Sequence, residues 1–195
     1  MFKIAFPKSS CYLLDAHNPA AIRWYVALCQ KWVDAGVDGF KEDLFGYGKY
    51  RFRDDKIDPA NAALMDRGIY IMGRNGYLGS AMDLHRFEDF NQDQNQDRGP
   101  INGLAFAYSG FPYVYPDIVG GKFGEGRKMP ALTSDTMRNY MMRNAQYASV
   151  NPSMSMGMGP WKFESAQVER VMLEAARLHA RLHPYIYSAA VTRFG

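Results

Sequence analysis

The feature that most constrains the fold is an alternation of short apolar runs with helical patterns along the whole chain. In the clearest case, Asn18 is suited to cap a helix and Pro19 to occupy its first position. Gly36 is suited to end that helix, and residues 37–43 follow as a predicted strand. Between the two ends, apolar side chains recur at helical spacing: Ile22, Tyr25, Val26, Cys29 and Val33.

The same alternation of apolar runs and helical patterns predicts further strands and helices on both sides of this helix. Strands are expected at 11–14, 69–72 and 111–115, and helices at 58–68, 101–108, 134–147 and 164–182, whereas residues 83–99 are polar and suggest no strand. Strands alternating with helices favour parallel βαβ units, of which we count four. Half of an eight-stranded barrel and a doubly wound open sheet share this pattern. The absence of a glycine-rich phosphate turn after any strand disfavours a Rossmann fold.

Composition excludes several classes of function. The chain has 195 residues, enough for one domain. Its net charge is only +3 and its basic residues are dispersed, so no nucleic-acid surface is predicted. No apolar run approaches the roughly 20 residues of a membrane span. The cysteines and histidines lack ligand spacing, so neither a metal site nor a cofactor is expected.

Charged residues cluster where the predicted strands end. Asp15, Asp43, Arg74 and Asp117 each follow an apolar run. In a (β/α) barrel the carboxyl ends of the strands form the face on which active sites are built. These four residues are therefore candidates for a site.

The segment 36–43 adds a lysine to that set. Side chains alternate along a strand, so Lys41 and Asp43 share one face and Phe40 and Glu42 the other. A simple ion pair would explain the first pair equally well. If the reaction is glycoside cleavage, a second carboxyl is needed as acid. The residues alone leave four candidates open, all in the stretch RFEDFNQDQNQDRG: Glu88, Asp89, Asp93 and Asp97.

Several of these motifs resemble glycoside hydrolase family 31. GVDGFKED, residues 36–43, is similar to the family signature that ends on the nucleophile, which implies that Asp43 is the nucleophile and that Lys41 contacts the substrate. DAHNPAAIRWY resembles the Asp-x-x-Asn-Pro-x-Ala segment before the nucleophile strand and adds Asp15 to the substrate-binding set. RNGYLGS resembles the segment at the next strand end and adds Arg74.

The resemblance also selects an acid/base and two further site residues. Counting forward from Arg74 reaches Asp89, and counting backward from SGFPYVYPDIVGG reaches Glu88 or Asp89. Asp89 is therefore the implied acid/base, and Asp93, in Gln-Asp-Gln, is the second choice. Asp117 matches the Asp-Ile-Gly-Gly signature, and Trp161 matches a later Pro-Trp, so both are implied substrate contacts.

Some positions depart from the family pattern. Leu44 and Phe45 follow Asp43 where the family commonly has Gly-Glu or Asn-Glu, and the family's histidine after Pro152 is absent. The PDIVGG spelling and the missing histidine resemble the branch that contains the myogenesis-regulating glycosidase, which implies α-galactoside activity.

The resemblance implies an α/β fold, a partial (β/α)8 TIM barrel with roughly the middle-to-late strand–helix units. Residues 1–195 would form one partial catalytic domain without the flanking β-sandwich domains. The implied function is hydrolysis of α-galactosides or α-glucosides with retention, through a covalent glycosyl-Asp intermediate. The alternative is an inactive fragment or a sugar-binding half-barrel. The expected partner is a carbohydrate, without nucleic acid or membrane.

Three other features have structural interpretations. Cys29 is predicted to be a buried free thiol on the apolar face of its helix. The methionine-rich stretch 153–159 is predicted to pack against neighbouring helices. Arg177 and Arg181, four residues apart, are predicted to lie on a solvated helix face.

Overall fold

The computed structural model describes residues 2–3, 10–11, 15, 18–42, 59–73, 83–86, 98–116, 118–119 and 130–194. These residues form a mixed α/β structure, which agrees with the predicted fold class. The chain divides into two compact units, Met1–Asp83 and Leu84–Gly195.

The first unit opens with two short strands. β1 (Phe2–Lys3) pairs antiparallel with β2 (Ser10–Cys11), with Phe2 opposite Cys11. The sequence predicts a strand at 11–14 in a parallel arrangement, and its described residue Cys11 instead belongs to an antiparallel pair. The connection between β1 and β2 is too short for the crossover that parallel neighbours require. Residues 12–14 lie outside the described residues.

Helix α1 (Pro19–Asp34) begins and ends where the sequence predicts. The Asn18 side chain accepts a hydrogen bond from the Ala20 amide at 2.9 Å, which satisfies one of the free donors of the first turn. At the other end Gly36 adopts a φ of +99°, a conformation that glycine reaches without steric cost. Its amide donates to the Val33 carbonyl at 2.9 Å. The capping signals therefore determine both ends of this helix.

The rest of the first unit is built on a parallel strand pair. β3 (Gly39–Glu42), α2 (Pro59–Met65) and β4 (Tyr70–Gly73) follow α1 in order. β3 and β4 are parallel, with Phe40 opposite Ile71 and Glu42 opposite Gly73. The core of the unit contains these buried residues: Val26, Cys29, Leu64, Ile69 and Ile71. All five predicted apolar positions of α1 lie in this core or against it, so that prediction is confirmed.

The second unit begins with a strand that the sequence did not predict. β5 (Leu84–Arg86), α3 (Arg98–Tyr108) and β6 (Val114–Tyr115) follow in order, and β5 and β6 are parallel with His85 opposite Val114. Residues 83–99, a polar stretch to which the sequence assigns no helix or strand, therefore include a strand. Three residues are too few to show a period in the sequence. What stabilises β5 is burial of Leu84 and His85, and the His85 ring packs edge-on against Phe106 and Phe111.

The second unit continues with β7 (Ile118–Val119), α4 (Asp135–Ala148), β8 (Ser155–Met156), a 3-10 turn (Pro160–Phe163) and α5 (Ala166–Phe194). β7 and β8 are parallel. The core lies between α4 and α5 and includes Tyr140, Met141, Phe163, Val168 and Met172. Met154, Met156 and Met158 pack against it, which confirms the structural interpretation of the methionine-rich stretch.

Helix α5 is longer than predicted. The sequence suggests an end at 182, before Pro184, but the helix runs through this proline to Phe194. Proline removes one backbone donor and so leaves a carbonyl of the preceding turn unpaired. Pro184 and its neighbour Tyr185 are exposed, so water can bind that carbonyl and the helix continues. Arg177 and Arg181 are exposed on this helix, as predicted. No helix in the described part of the chain is long and apolar enough to span a membrane.

Candidate active site

Two parallel strands of the first unit end side by side. Glu42, the last residue of β3, lies opposite Gly73, the last residue of β4. The next residues in the sequence are Asp43 and Arg74, both predicted site residues, and both lie outside the described residues. β3 and β4 therefore end at the same edge of the sheet.

Lys41 lies on the exposed face of β3. Phe40 packs against the core of the unit, whereas Lys41 is exposed. Phe40 and Lys41 therefore lie on opposite faces of β3, as the alternation predicts, and the sequence predicts Asp43 on the face of Lys41. Met72 lies opposite Lys41 in β4.

Asp15 precedes the first turn of α1. Its backbone carbonyl accepts a hydrogen bond from the Asn18 amide at 3.1 Å, which closes a turn just before the capping residue. Asp15 is exposed. The backbone of a predicted site residue is therefore hydrogen-bonded to the residue that caps α1.

The second unit repeats the arrangement of parallel strand ends. Arg86, the last residue of β5, lies opposite Tyr115, the last residue of β6. Asp89 follows β5, and Asp117 follows β6 after the buried Pro116. The candidates that follow these two strands lie outside the described residues: Glu88, Asp89, Asp93, Asp97 and Asp117.

A hydrogen bond that the sequence did not reveal connects the end of β6 to β8. The hydroxyls of Tyr115 and Ser155 form it, although the two residues are 40 positions apart. Tyr115 is buried, so its hydroxyl needs an internal partner. This bond holds the strand end that leads to Asp117. A pattern within one segment carries no signal for such a pair.

Trp161, the third predicted site residue among those described, lies in the second unit on the 3-10 turn. It is 68% exposed, whereas Phe163, two residues later, is fully buried in the core between α4 and α5. The six-membered ring of the indole lies against Gly159, where a Cβ would overlap it. The turn therefore presents a large aromatic surface to solvent. Asp15 precedes α1, Lys41 lies on β3, and Trp161 lies on the 3-10 turn.

Two side chains of the first unit, Tyr70 and Cys29, have shifted pKa values. Burial, with a smaller effect of the Asp83 carboxylate, raises the pKa of Tyr70 to about 12. Burial also raises the pKa of the Cys29 thiol, partly offset by a hydrogen bond involving Tyr25. Cys29 is buried and forms no disulfide, as predicted. Both groups are protonated at neutral pH, so neither is poised for acid–base work there.

A groove of about 390 Å³ lies between α1 and α2, and none of the predicted site residues lines it. Its charged lining residues are Arg23, Lys31, Asp34 and Arg67. Among the described residues no group of three or more His, Cys, Asp or Glu side chains could hold a metal ion.

No known family model matches the chain. In sequence the chain is similar to the alpha-xylosidase XylQ of Lactiplantibacillus pentosus, with 27% identity over 207 aligned residues. The alignment covers 91% of this chain and 26% of the xylosidase, so the chain spans about a quarter of that protein's length. This similarity relates the chain distantly to a glycosidase.

Proposed function

We propose that this chain is a partial catalytic (β/α)8 barrel of a retaining α-glycoside hydrolase, with residues 1–195 forming one domain. Two observations support the proposal. The similarity to a glycosidase extends over 91% of the chain. The strands β3 and β4 end in register immediately before Asp43 and Arg74. That register is the observation that carries the proposal, because active sites of (β/α) barrels are built at the carboxyl edge of the parallel strands, where β3 and β4 end together.

The proposed reaction is a double displacement. A carboxylate oxygen of Asp43 attacks the anomeric carbon as the glycosidic C–O bond breaks, and Asp89 gives its proton to the leaving oxygen. Asp89, now ionised, takes a proton from water, whose oxygen attacks the anomeric carbon and releases Asp43. Two inversions give net retention. The two carboxyl groups of such enzymes stand about 5–5.5 Å apart.

The remaining site residues bind the sugar in this proposal. Lys41 and Arg74 hydrogen-bond sugar hydroxyls and favour the ionised form of Asp43 through their positive charge. Asp15 and Asp117 accept hydrogen bonds from hydroxyls, and Trp161 packs against the C–H face of a sugar ring. The motif spelling suggests an α-galactoside or α-glucoside, and the similar protein's name adds an α-xyloside.

Covalent labelling tests the nucleophile. The chain is incubated with α-configured mechanism-based glycosyl probes of the galacto, gluco and xylo series, followed by intact-mass measurement and peptide mapping. We expect one adduct, on Asp43, and the probe that reacts identifies the sugar. Asp43→Asn should abolish labelling because an amide is not a nucleophile here. Asp66→Asn, an exposed carboxyl with no proposed role, should label like the unmodified chain.

Labelling at another residue would contradict the assignment of Asp43. If a folded chain gives no adduct but still binds a sugar, the sugar-binding half-barrel is the correct function.

Azide rescue distinguishes Asp89 from Asp93. Without its acid/base, a retaining enzyme still forms the glycosyl-enzyme from a substrate with a good leaving group, and a small anion then replaces the water that needs a base. In Asp89→Ala we expect azide to restore turnover and to give a glycosyl azide of retained configuration, because two displacements occur. In Asp43→Ala a single displacement by azide would give the inverted product. Rescue of Asp93→Ala, with Asp89→Ala still active, would transfer the role to Asp93.

A further inference from the structure

The 3-10 turn that carries Trp161 is hydrogen-bonded at its end to Arg138, an arginine of α4. Arg138 Nε donates to the Phe163 carbonyl at 3.0 Å, and its Nη2 donates to the Glu164 carbonyl at 3.0 Å. The planar guanidinium thus binds two successive carbonyls with donors held in a rigid fork, a geometry that a lysine ammonium lacks. Both carbonyls lie just after Trp161 in the chain, so their positions determine how the turn ends.

The end of the turn adopts a backbone conformation that needs such support. Glu164 has a φ of 48°, and it is the one non-glycine residue with positive φ among those described. A side chain in this left-handed region is strained and persists where surrounding contacts over-determine it. Arg138 donates one hydrogen bond to each of the two peptide groups that flank the Glu164 Cα.

The same turn separates a buried aromatic residue from an exposed one. In a 3-10 turn, residues three apart lie on the same side, so Pro160 and Phe163 face one way while Trp161 faces another. Phe163 is fully buried and anchors the turn in the core of the second unit. Gly159 backs the indole, because it lacks the Cβ that would overlap the ring. The indole is therefore supported on one side, and 68% of the surface of Trp161 remains exposed to solvent.

We propose that Arg138 is a positioning residue that holds the Pro160–Phe163 turn, so that Trp161 forms a preorganised platform for the C–H face of a sugar ring. This inference rests on the proposed carbohydrate function. A flat aromatic face held in place before binding loses little conformational entropy when a ligand packs on it. The Arg138 side chain is only 28% exposed, and its guanidinium pairs weakly with the exposed Asp135, at 3.9 Å. Its hydrogen bonds to the two carbonyls, both at 3.0 Å, are shorter.

Fluorescence of Trp161 tests the platform directly. Trp24 and Trp32 are both exposed, so the double substitution W24F/W32F leaves one tryptophan in a folded chain. In this background we expect methyl α-xyloside, α-glucoside or α-galactoside to quench or shift the emission of Trp161. No response to any of the three sugars would overturn the platform.

Substitution of Arg138 tests the positioning role. We expect Arg138→Ala to lower the fluorescence anisotropy of Trp161 and to weaken sugar binding about tenfold. With a substrate, KM should rise while kcat changes little, since the platform does not touch the reacting atoms. Arg138→Lys keeps the charge but loses the two-pronged geometry, so it should give an intermediate effect. Arg177→Ala, which removes an exposed arginine of the same unit, is the matched control.

The inference is wrong if Arg138→Ala leaves the anisotropy and the sugar affinity at the values of Arg177→Ala. If Arg138→Ala fails to fold, Arg138→Lys carries the same comparison of anisotropy and affinity, and Trp161→Ala, at an exposed position, tests the contribution of the indole to sugar affinity. Failure of the proposed function looks different: the glycosyl probes then give no adduct on Asp43, while sugars still quench Trp161. Conversely, labelling of Asp43 with unchanged probe affinity in Trp161→Ala would overturn the platform alone.

Discussion

The carboxylate of Asp83 has two effects: it accepts a hydrogen bond from a strand, and it raises the pKa of the neighbouring Tyr70. Asp83 accepts a hydrogen bond from the Ile71 amide at 2.8 Å, and its negative charge disfavours ionisation of the Tyr70 phenol. Burial is the larger cause of the shift, although Tyr70 remains 43% exposed. One group therefore has two separable roles: it accepts a backbone bond, and it carries a charge.

Asp83→Asn is expected to separate these two roles. Asparagine keeps the acceptor for the Ile71 amide but removes the charge, so the pKa of Tyr70 should fall from about 12 without returning to 10.0, since burial remains. Titration of tyrosinate absorbance, with Tyr70→Phe subtracted to isolate this residue, measures the change. An unchanged Tyr70 titration in Asp83→Asn would contradict the proposed contribution of the charge.

The raised pKa of Tyr70 also predicts how stability depends on pH. Above pH 10 the unfolded chain loses the phenol proton while the folded chain keeps it. The stabilisation that this protonated phenol contributes is therefore present below pH 10 and is lost as pH rises towards about 12. The loss should be smaller in Tyr70→Phe.

At the scale of secondary-structure elements, helix caps account for the helix starts that the sequence predicts most closely. Asn18 accepts from the Ala20 amide at 2.9 Å, and Ser134 accepts from the Met137 amide at 3.3 Å. Both side chains satisfy donors that have no partner within the helix. The shorter bond belongs to α1, the helix whose apolar face forms much of the first core.

Asn18→Ala should lower the free energy of unfolding by about 1 kcal/mol, and Asn18→Ser should restore most of it because serine is an equally good cap. Urea unfolding followed by circular dichroism gives these differences. Ser134→Ala should cost less than Asn18→Ala, because its hydrogen bond is longer. A larger cost for Ser134→Ala would show that cap geometry does not determine the order.

At the scale of the whole molecule, each compact unit has its own core. Leu64 is fully buried in the core of the first unit, and Met172 is 1% exposed in that of the second. Each core is built from helices and strands of its own unit. Loss of packing in one core should therefore destabilise mainly the elements that surround it.

Leu64→Ala should cost about 2–5 kcal/mol, since it leaves a cavity in a fully buried position. In hydrogen exchange we expect the loss of protection to be greatest in α1, α2, β3 and β4, and Met172→Ala to affect α4 and α5 instead. The exposed Leu28→Ala and Leu173→Ala are matched controls, with changes within about 0.5 kcal/mol. Equal loss of protection in both units for either core variant would contradict separate cores.

The candidate site was predictable from sequence to different extents at different residues. The exposed face of Lys41 follows from the period of a strand, whereas the backbone bond between Asn18 and Asp15 was not predicted. The exposure of Trp161 depends on Gly159 behind its ring and on Phe163 in the core, and neither contact has a sequence period. The roles of Asp43, Asp89, Arg74 and Asp117 remain predictions.

By itself, the sequence determined the start and end of α1, its buried face and the strands β3 and β4, because caps, glycine turns and side-chain period act within one or two turns of chain. Only the tertiary structure decided where three distant pairs meet: Tyr115 with Ser155, Arg138 with Phe163, and Asp83 with Ile71. It also decided that residues 84–86 form a strand. These features depend on burial and on hydrogen bonds to partners 12 to 40 positions away, and the chain brings those partners together only when it folds.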